Sequence, residues 1–189
     1  MSYAERGVSR AASAFPAVPA CFGWLSLDRR GDWRLKGGRI SHSGLLGFIN
    51  RNYGPDGKGN WIFRNGPQAV FVDLEYTPLI YRFELGGTLV DHMGRPQGTP
   101  SAAYLDEEGN VLLRLQAGIG LLDDRELAAF LADFRELIEP AAGNTLPTPG
   151  TPGKLAGTWR GLLVRTIRRA DVSSMFGFNP NPTAGQPER

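Results

Sequence analysis

Three groups of residues have the types and spacing that chemistry asks for. Asp73 and Glu75 stand two apart in an alternating run, so both carboxylates would leave one face of a strand. Paired carboxylates divide acid and base work when their surroundings separate their pKa values. In the next run Tyr81 is followed by Arg82 and Glu84, expected cross-strand partners, and a charged solvent face explains all four charges better than catalysis does. Residues 54–59 (GPDGKG) set Lys58 among glycines, as a phosphate loop would. A P-loop needs G-x-x-x-x-G-K-[ST] between a strand and a helix, and here the spacing differs and no Ser or Thr follows the lysine. This stretch reads as a helix-to-strand connection. His42 and His92 are the two histidines and Cys21 the one cysteine, so a histidine-rich metal site is not expected and an internal disulfide is excluded. Cys21, beside Phe22 and Trp24, reads as a small hydrophobe rather than a reactive thiol. Ser41 and Ser43 lack a G-x-S-x-G setting and read as helix caps. No catalytic residue, metal or cofactor is expected.

The third group lies near the C-terminus. Trp159, Leu162, Leu163 and Ile167 share a face at helical spacing, flanked by Arg160, Arg165, Arg168 and Arg169. The pattern predicts an amphipathic helix within 155–170 that docks on a partner protein, an anionic surface or the chain's own body, with the partner favoured. Residues 141–189 carry net +4, residues 1–20 net +1 and residues 21–140 net −3. A mildly acidic body with a basic tail gives little reason to expect nucleic acid.

The elements that must position these groups follow from turn residues and periodicity. Short strands are expected at 22–27 and 33–36, joined by Asp28-Arg29-Arg30-Gly31, and a helix at 44–52. Strands at 61–64 and 69–75 flank Asn65-Gly66, a strong hairpin signal. In the second of them Val70, Val72, Leu74 and Tyr76 form the apolar face. After Pro78 a strand runs over 79–85, with further strands near 88–90, 102–105 and 111–115. Asp123 or Asp124 caps a helix to about 139, with Leu127, Phe130, Leu131, Phe134 and Ile138 on one stripe. Trp33, Tyr53, Trp61, Phe63, Phe71, Tyr76 and Tyr81 fit a core better than a base-stacking platform. Gly and Pro make up 39 of 189 residues, too many for a helical bundle. Residues 140–154 hold four prolines and form a linker.

One pattern recurs. Leu27-Asp28-x-x-Gly31, followed by Trp33 and Leu35, is echoed by Leu105-Asp106-x-x-Gly109, followed by Val111 and Leu113; Leu45, Phe48 and Ile49 are echoed by Leu127, Phe130 and Leu131. Either a duplicated unit or a common hairpin turn explains the match. The run Gly31-Asp32-Trp33-Arg34-Leu35-Lys36-Gly37-Gly38-Arg39-Ile40, then a helix, then Val70-Phe71-Val72 ahead of Tyr76-Thr77-Pro78, resembles an uncharacterised proteobacterial family whose members carry a domain of unknown function. The resemblance covers about 21–139 and departs from the family's Asp-Gly-x-Trp at Gly31-Asp32-Trp33. It implies an α+β fold of repeated motifs with a regulatory or ligand-sensing role, and carries no catalytic residue across.

The expected fold is therefore α+β: an antiparallel curled sheet with two main helices and two related halves. The expected organisation is a mobile leader (1–20), a domain at 21–139 with halves at 21–85 and 86–139, the linker, and a basic tail (155–189). The leader has too weak an apolar segment for a signal peptide, no run is long enough to span a membrane, and a cytoplasmic setting is expected. The function expected is non-enzymatic binding of a small molecule or protein. Its surface would draw on Asp73, Glu75, Tyr81, Arg82, Trp159, Arg160, Leu163, Arg165, Ile167 and Arg168. The alternatives are a hydrolase-like enzyme using Asp73 and Glu75, or tail-mediated binding to an anionic surface or nucleic acid.

Overall fold

The computed structural model describes residues 20–137 and 153–184. The leader before residue 20, most of the linker and Ile138 lie outside the described residues.

Two mixed sheets dominate. The first contains β1 (Ala20–Leu27), β2 (Trp33–Leu35), β3 (Gly38–Arg39), β4 (Tyr53–Pro55), β5 (Trp61–Asn65) and β6 (Gln68–Leu74), in the order β3-β2-β1-β6-β5-β4. The second contains β7 (Leu79–Phe83), β8 (Leu89–Asp91), β9 (Ala102–Leu105), β10 (Val111–Leu115), β11 (Gly118–Leu122), β12 (Phe134–Glu136), β13 (Leu155–Trp159) and β14 (Leu162–Thr166), in the order β12-β13-β14-β9-β10-β11-β7-β8. Three short helices accompany them among the described residues: α1 (Ser43–Asn52), α2 (Leu127–Asp133) and α3 (Arg169–Phe176). The fold is thus α+β and mostly strand. It is not the antiparallel sheet expected, because β1 pairs parallel with β6, β7 with β11 and β9 with β14. Parallel pairs join strands distant in sequence, where hairpin signals are silent.

Six strands of each sheet follow one order. β9, β10, β11, β12, β13 and β14 stand to one another as β1, β2, β3, β4, β5 and β6 do, with α2 placed in the chain as α1 is. Detail repeats as well: the Glu75 N–H donates to Leu27 O just past β6, and the Ile167 N–H donates to Leu105 O just past β14. The second run of this order occupies 102–166, crossing the linker at which the domain was expected to end. β7, expected beside β6, pairs instead with β8 and β11.

The repeated Asp-x-x-Gly turn has a local physical cause. In both copies the Asp N–H donates to the carbonyl four residues on, and the Asp Oδ1 accepts the N–H groups two and four residues on (2.8–3.0 Å). Gly31 and Gly109 supply the positive φ (79° and 82°) that closes the turn. Asp91-His92-Met93-Gly94-Arg95 makes the same turn, so this motif alone does not mark a duplication.

Several expected elements are corrected. The N-cap of α1 is His42, whose Nδ1 accepts the Leu45 N–H (3.2 Å), rather than Ser41 or Ser43. In the β5–β6 hairpin the two-residue loop is Gly66-Pro67, since Asn65 pairs with Gln68. The helix expected to reach residue 139 ends at Asp133. Phe134 leaves it to pair with Trp159, Phe130 is the one buried residue of α2, and Leu131 is exposed. The amphipathic helix expected within 155–170 is absent from 155–166. Residues 155–166 form the β13–β14 hairpin, with β14 inserted between β13 and β9. Trp159, Leu162 and Ile167 suit either period. Gly157, Gly161 and the β-branched Thr158, Val164 and Thr166 favour strands, and the sheet supplies hydrogen bonds that a lone helix would lack.

One continuous core spans both sheets, from Leu27, Trp33 and Ile49 through Ile80 and Leu112 to Phe130, Ile167 and Val172. Val72, Leu74 and Tyr76 lie in it as their alternation predicts. Chain beyond α3 returns to the first sheet: the Leu74 N–H donates to Pro180 O and the Asn179 N–H to Gly59 O (both 2.8 Å).

Candidate functional site

The second sheet curls enough to bring its two ends together, and a groove of about 420 Å³ opens between them. Gly87, Thr88 and Leu89, leading into β8, line one side together with Gln97, Gly98, Thr99 and Pro100. Trp159, Arg160 and Leu162 of the β13–β14 hairpin line the other. The closure is aromatic. Trp159 is 2% exposed, its ring stacks on Phe130 (centroids 5.1 Å apart) and it lies 6.1 Å from Phe83.

The hairpin turn sets the site's charge. Trp159 and Leu162 are paired, leaving Arg160-Gly161 as a two-residue loop with positive φ at both (48° and 80°). That is the turn a right-twisted hairpin prefers, and it holds a non-glycine residue in the left-handed region. Arg160 is thereby directed back over its own sheet. Its guanidinium centre lies 4.9 Å from the Trp159 centroid and 5.1 Å from that of Phe83, while its Nε donates to Asp133 Oδ2 (2.7 Å). The Trp159 indole N–H is buried and has no acceptor among the described residues. A buried donor without a partner is uncommon, because it forfeits hydration and gains nothing in return.

A second groove of about 420 Å³ lies between the sheets' ends and α3, lined by Glu75, Tyr76, Glu107, Arg169, Phe178 and their neighbours. It is already internally satisfied. Arg169 stacks on Tyr76 (4.4 Å) and bonds Glu108 (2.8 Å), and the Tyr76 hydroxyl donates to Asp106 Oδ2 (2.8 Å). Burial and that hydrogen bond to Asp106 push the Tyr76 phenol well above its ordinary value.

The residues singled out in the sequence do not form one surface. Asp73 lies opposite Ser26 on β6, and partial burial raises its carboxyl pKa. Glu75, just past β6, accepts the Arg29 N–H (3.2 Å). Arg82 lies opposite Val90, so neither it nor Glu84 is a cross-strand partner of Asp73 or Glu75. Tyr81 is fully buried, its hydroxyl donating to Gly118 O (3.0 Å). Ile167 is core, and Leu163 is exposed on β14. Arg165 donates to Gly153 O, and Arg168 pairs with Asp171. Of the ten residues expected to form that surface, Trp159 and Arg160 line the first groove and Glu75 lines the second. Residues 87–89 carried only the signal of a short strand, and residues 97–100 none beyond their small and polar types.

Among the described residues no group of three or more His, Cys, Asp or Glu could hold a metal, and no helix is long and apolar enough to cross a membrane. Fold and site together define a two-sheet α+β protein with an open groove at the seam of its larger sheet. The family model DUF2944, described as "Protein of unknown function (DUF2946)", matches residues 5–183, and the chain belongs to that family. No curated protein matches the chain. Among solved structures it is similar to a DUF1285 family protein from Silicibacter pomeroyi DSS-3, at 13% identity and a TM-score of 0.54, over 84% of this chain and 86% of that one. It also matches a DUF1285 family protein from Shewanella baltica OS155, at 18% identity and a TM-score of 0.46, over 60% of this chain and 94% of that one. The first likeness is one of fold alone.

Proposed function

We propose that the chain is a non-enzymatic binding protein whose ligand site is the Trp159–Arg160 groove. The observation that carries this reading is the groove's chemistry. Among the described residues it is lined by one aromatic ring, that of Trp159, and one cation, Arg160, and by no carboxylate, histidine, cysteine or serine. Such a site can hold a molecule but has no side chain that takes a proton near neutral pH. Its volume falls at the small end of the roughly 300–1,000 Å³ range of small-molecule clefts. A fragment screen on the full chain, read by the indole N–H resonance of Trp159, tests the reading. Fragments that bind should move that resonance, and Leu162→Trp, which fills the groove, should abolish the response. Fragment binding that leaves it unmoved and maps to the Arg169 groove would refute the assignment.

The alternatives have less support. A hydrolase would need Asp73 and Glu75 in one cleft, and of the two Glu75 alone lines either groove described above. The described arginines of the tail, Arg160, Arg165, Arg168 and Arg169, bond Asp133, Gly153 O, Asp171 and Glu108 in turn, so these four present no common unpaired face to nucleic acid. The matched strand orders support reading 20–74 and 102–166 as two copies of one unit, with the β7–β8 hairpin added at the edge of the second. A regulatory role in the cytoplasm of a bacterium is in keeping with a binding groove and a single cysteine.

A further inference from the structure

We infer that the groove takes an organic anion, a short apolar chain ending in a carboxylate or phosphate; this rests on the reading of the groove as a binding site. Among the described residues Arg160 is the only charged side chain lining it, and no acid opposes it there. The neighbouring Asp133 is engaged through Nε, and both side chains of that pair are about half exposed, so water screens the attraction. The terminal amino groups point elsewhere: a Cβ placed on Gly87 would stand 3.7 and 3.9 Å from them. Gly87 therefore leaves room for the guanidinium fork beside the groove wall.

Arg160 thus brings a charged fork to the groove beside Gly87 and Trp159, which line it too. An anionic head with two or more oxygens matches that fork, and charge-assisted bonds of this kind are the stronger ones. Behind the polar end, Leu89, Pro100 and Leu162 give an apolar wall for a short chain.

The experiment titrates the full-length protein with hexanoate, hexyl phosphate and the neutral hexanamide, following the Trp159 indole N–H resonance identified with Trp159→Phe. Saturable movement by hexanoate or hexyl phosphate is expected, roughly tenfold tighter than by hexanamide and weakened roughly tenfold in Arg160→Gln. Preference between the two anions reports which head group the site takes, and equal binding of both is equally in accord with an anion site. Hexanamide binding as tightly as hexanoate would overturn the anion inference while leaving the groove a binding site. Movement by none of the three overturns the inference; fragment hits on the same resonance would then leave the groove reading standing, and their absence would remove both. Because the charged-against-neutral comparison is made on the unaltered chain, it holds even if Arg160→Gln folds poorly.

Discussion

Acidification should weaken this protein through one buried histidine. His92 sits in the turn after β8, 8% exposed, with its ring 5.6 Å from Trp33 and 5.8 Å from Tyr53. Its Nδ1 accepts the Ile80 N–H (3.4 Å), so the proton of the neutral ring is on Nε2, which has no acceptor among the described residues. Burial, reinforced by the charges of Arg82 and Arg95, lowers its pKa from 6.5 to about 3. The unfolded chain therefore takes up this proton near pH 6.5 and the folded chain only near pH 3. Stability contributed by keeping the ring neutral is present above pH 6.5 and is lost as pH falls through that window. Between pH 7 and pH 5 the loss comes to about 2 kcal/mol for this one group. His92→Phe removes the titration while keeping an aromatic ring against Trp33 and Tyr53. It also strands the Ile80 N–H, at a cost of about 1–3 kcal/mol that does not vary with pH. Urea unfolding of both proteins at pH 7 and pH 5 isolates the effect, because carboxylates common to both cancel in the difference. The unaltered protein should lose about 2 kcal/mol more than the variant on acidification. Parallel pH profiles would show that His92 is solvated or protonated in the fold, and the reasoning would fail.

Gly31→Ala should cost more than about 2 kcal/mol, since φ is +79° and the added Cβ would stand 2.6 Å from that of His92; a urea midpoint close to that of the parent would refute the packing of the first Asp-x-x-Gly turn on β8's turn. Tyr76→Phe removes the hydroxyl that donates to Asp106 and should lower stability by about 1–3 kcal/mol, with an unchanged midpoint counting against a buried hydrogen bond there. A chain ending at residue 140 loses β13, β14 and α3, leaving β9 without its parallel neighbour and Phe130 without Trp159. It should show no cooperative thermal transition, and a sharp transition near that of the whole chain would refute the placement of β14 within the sheet.

Local chemistry was legible in the residues themselves. Asp28-x-x-Gly31 and Asp106-x-x-Gly109 specify their turns because one aspartate oxygen and one glycine close the loop without outside help. The alternation of Val72, Leu74 and Tyr76 placed that face in the core, as period two must when one side is covered. What residues far apart in sequence do to one another was not legible. Parallel pairing of β1 with β6 and of β9 with β14 leaves no turn signal, and Tyr81 and Arg82 belong to a different sheet from Asp73. Residues 155–166 satisfy a helical and a strand period alike; the vacancy beside β9 and the partner strand β12 decided between them, because backbone hydrogen bonds and the burial of Trp159 are available only there. The groove has the same origin: Gly87, Thr99 and Trp159 become neighbours only when the larger sheet curls, and no local pattern records where a sheet's two ends will meet.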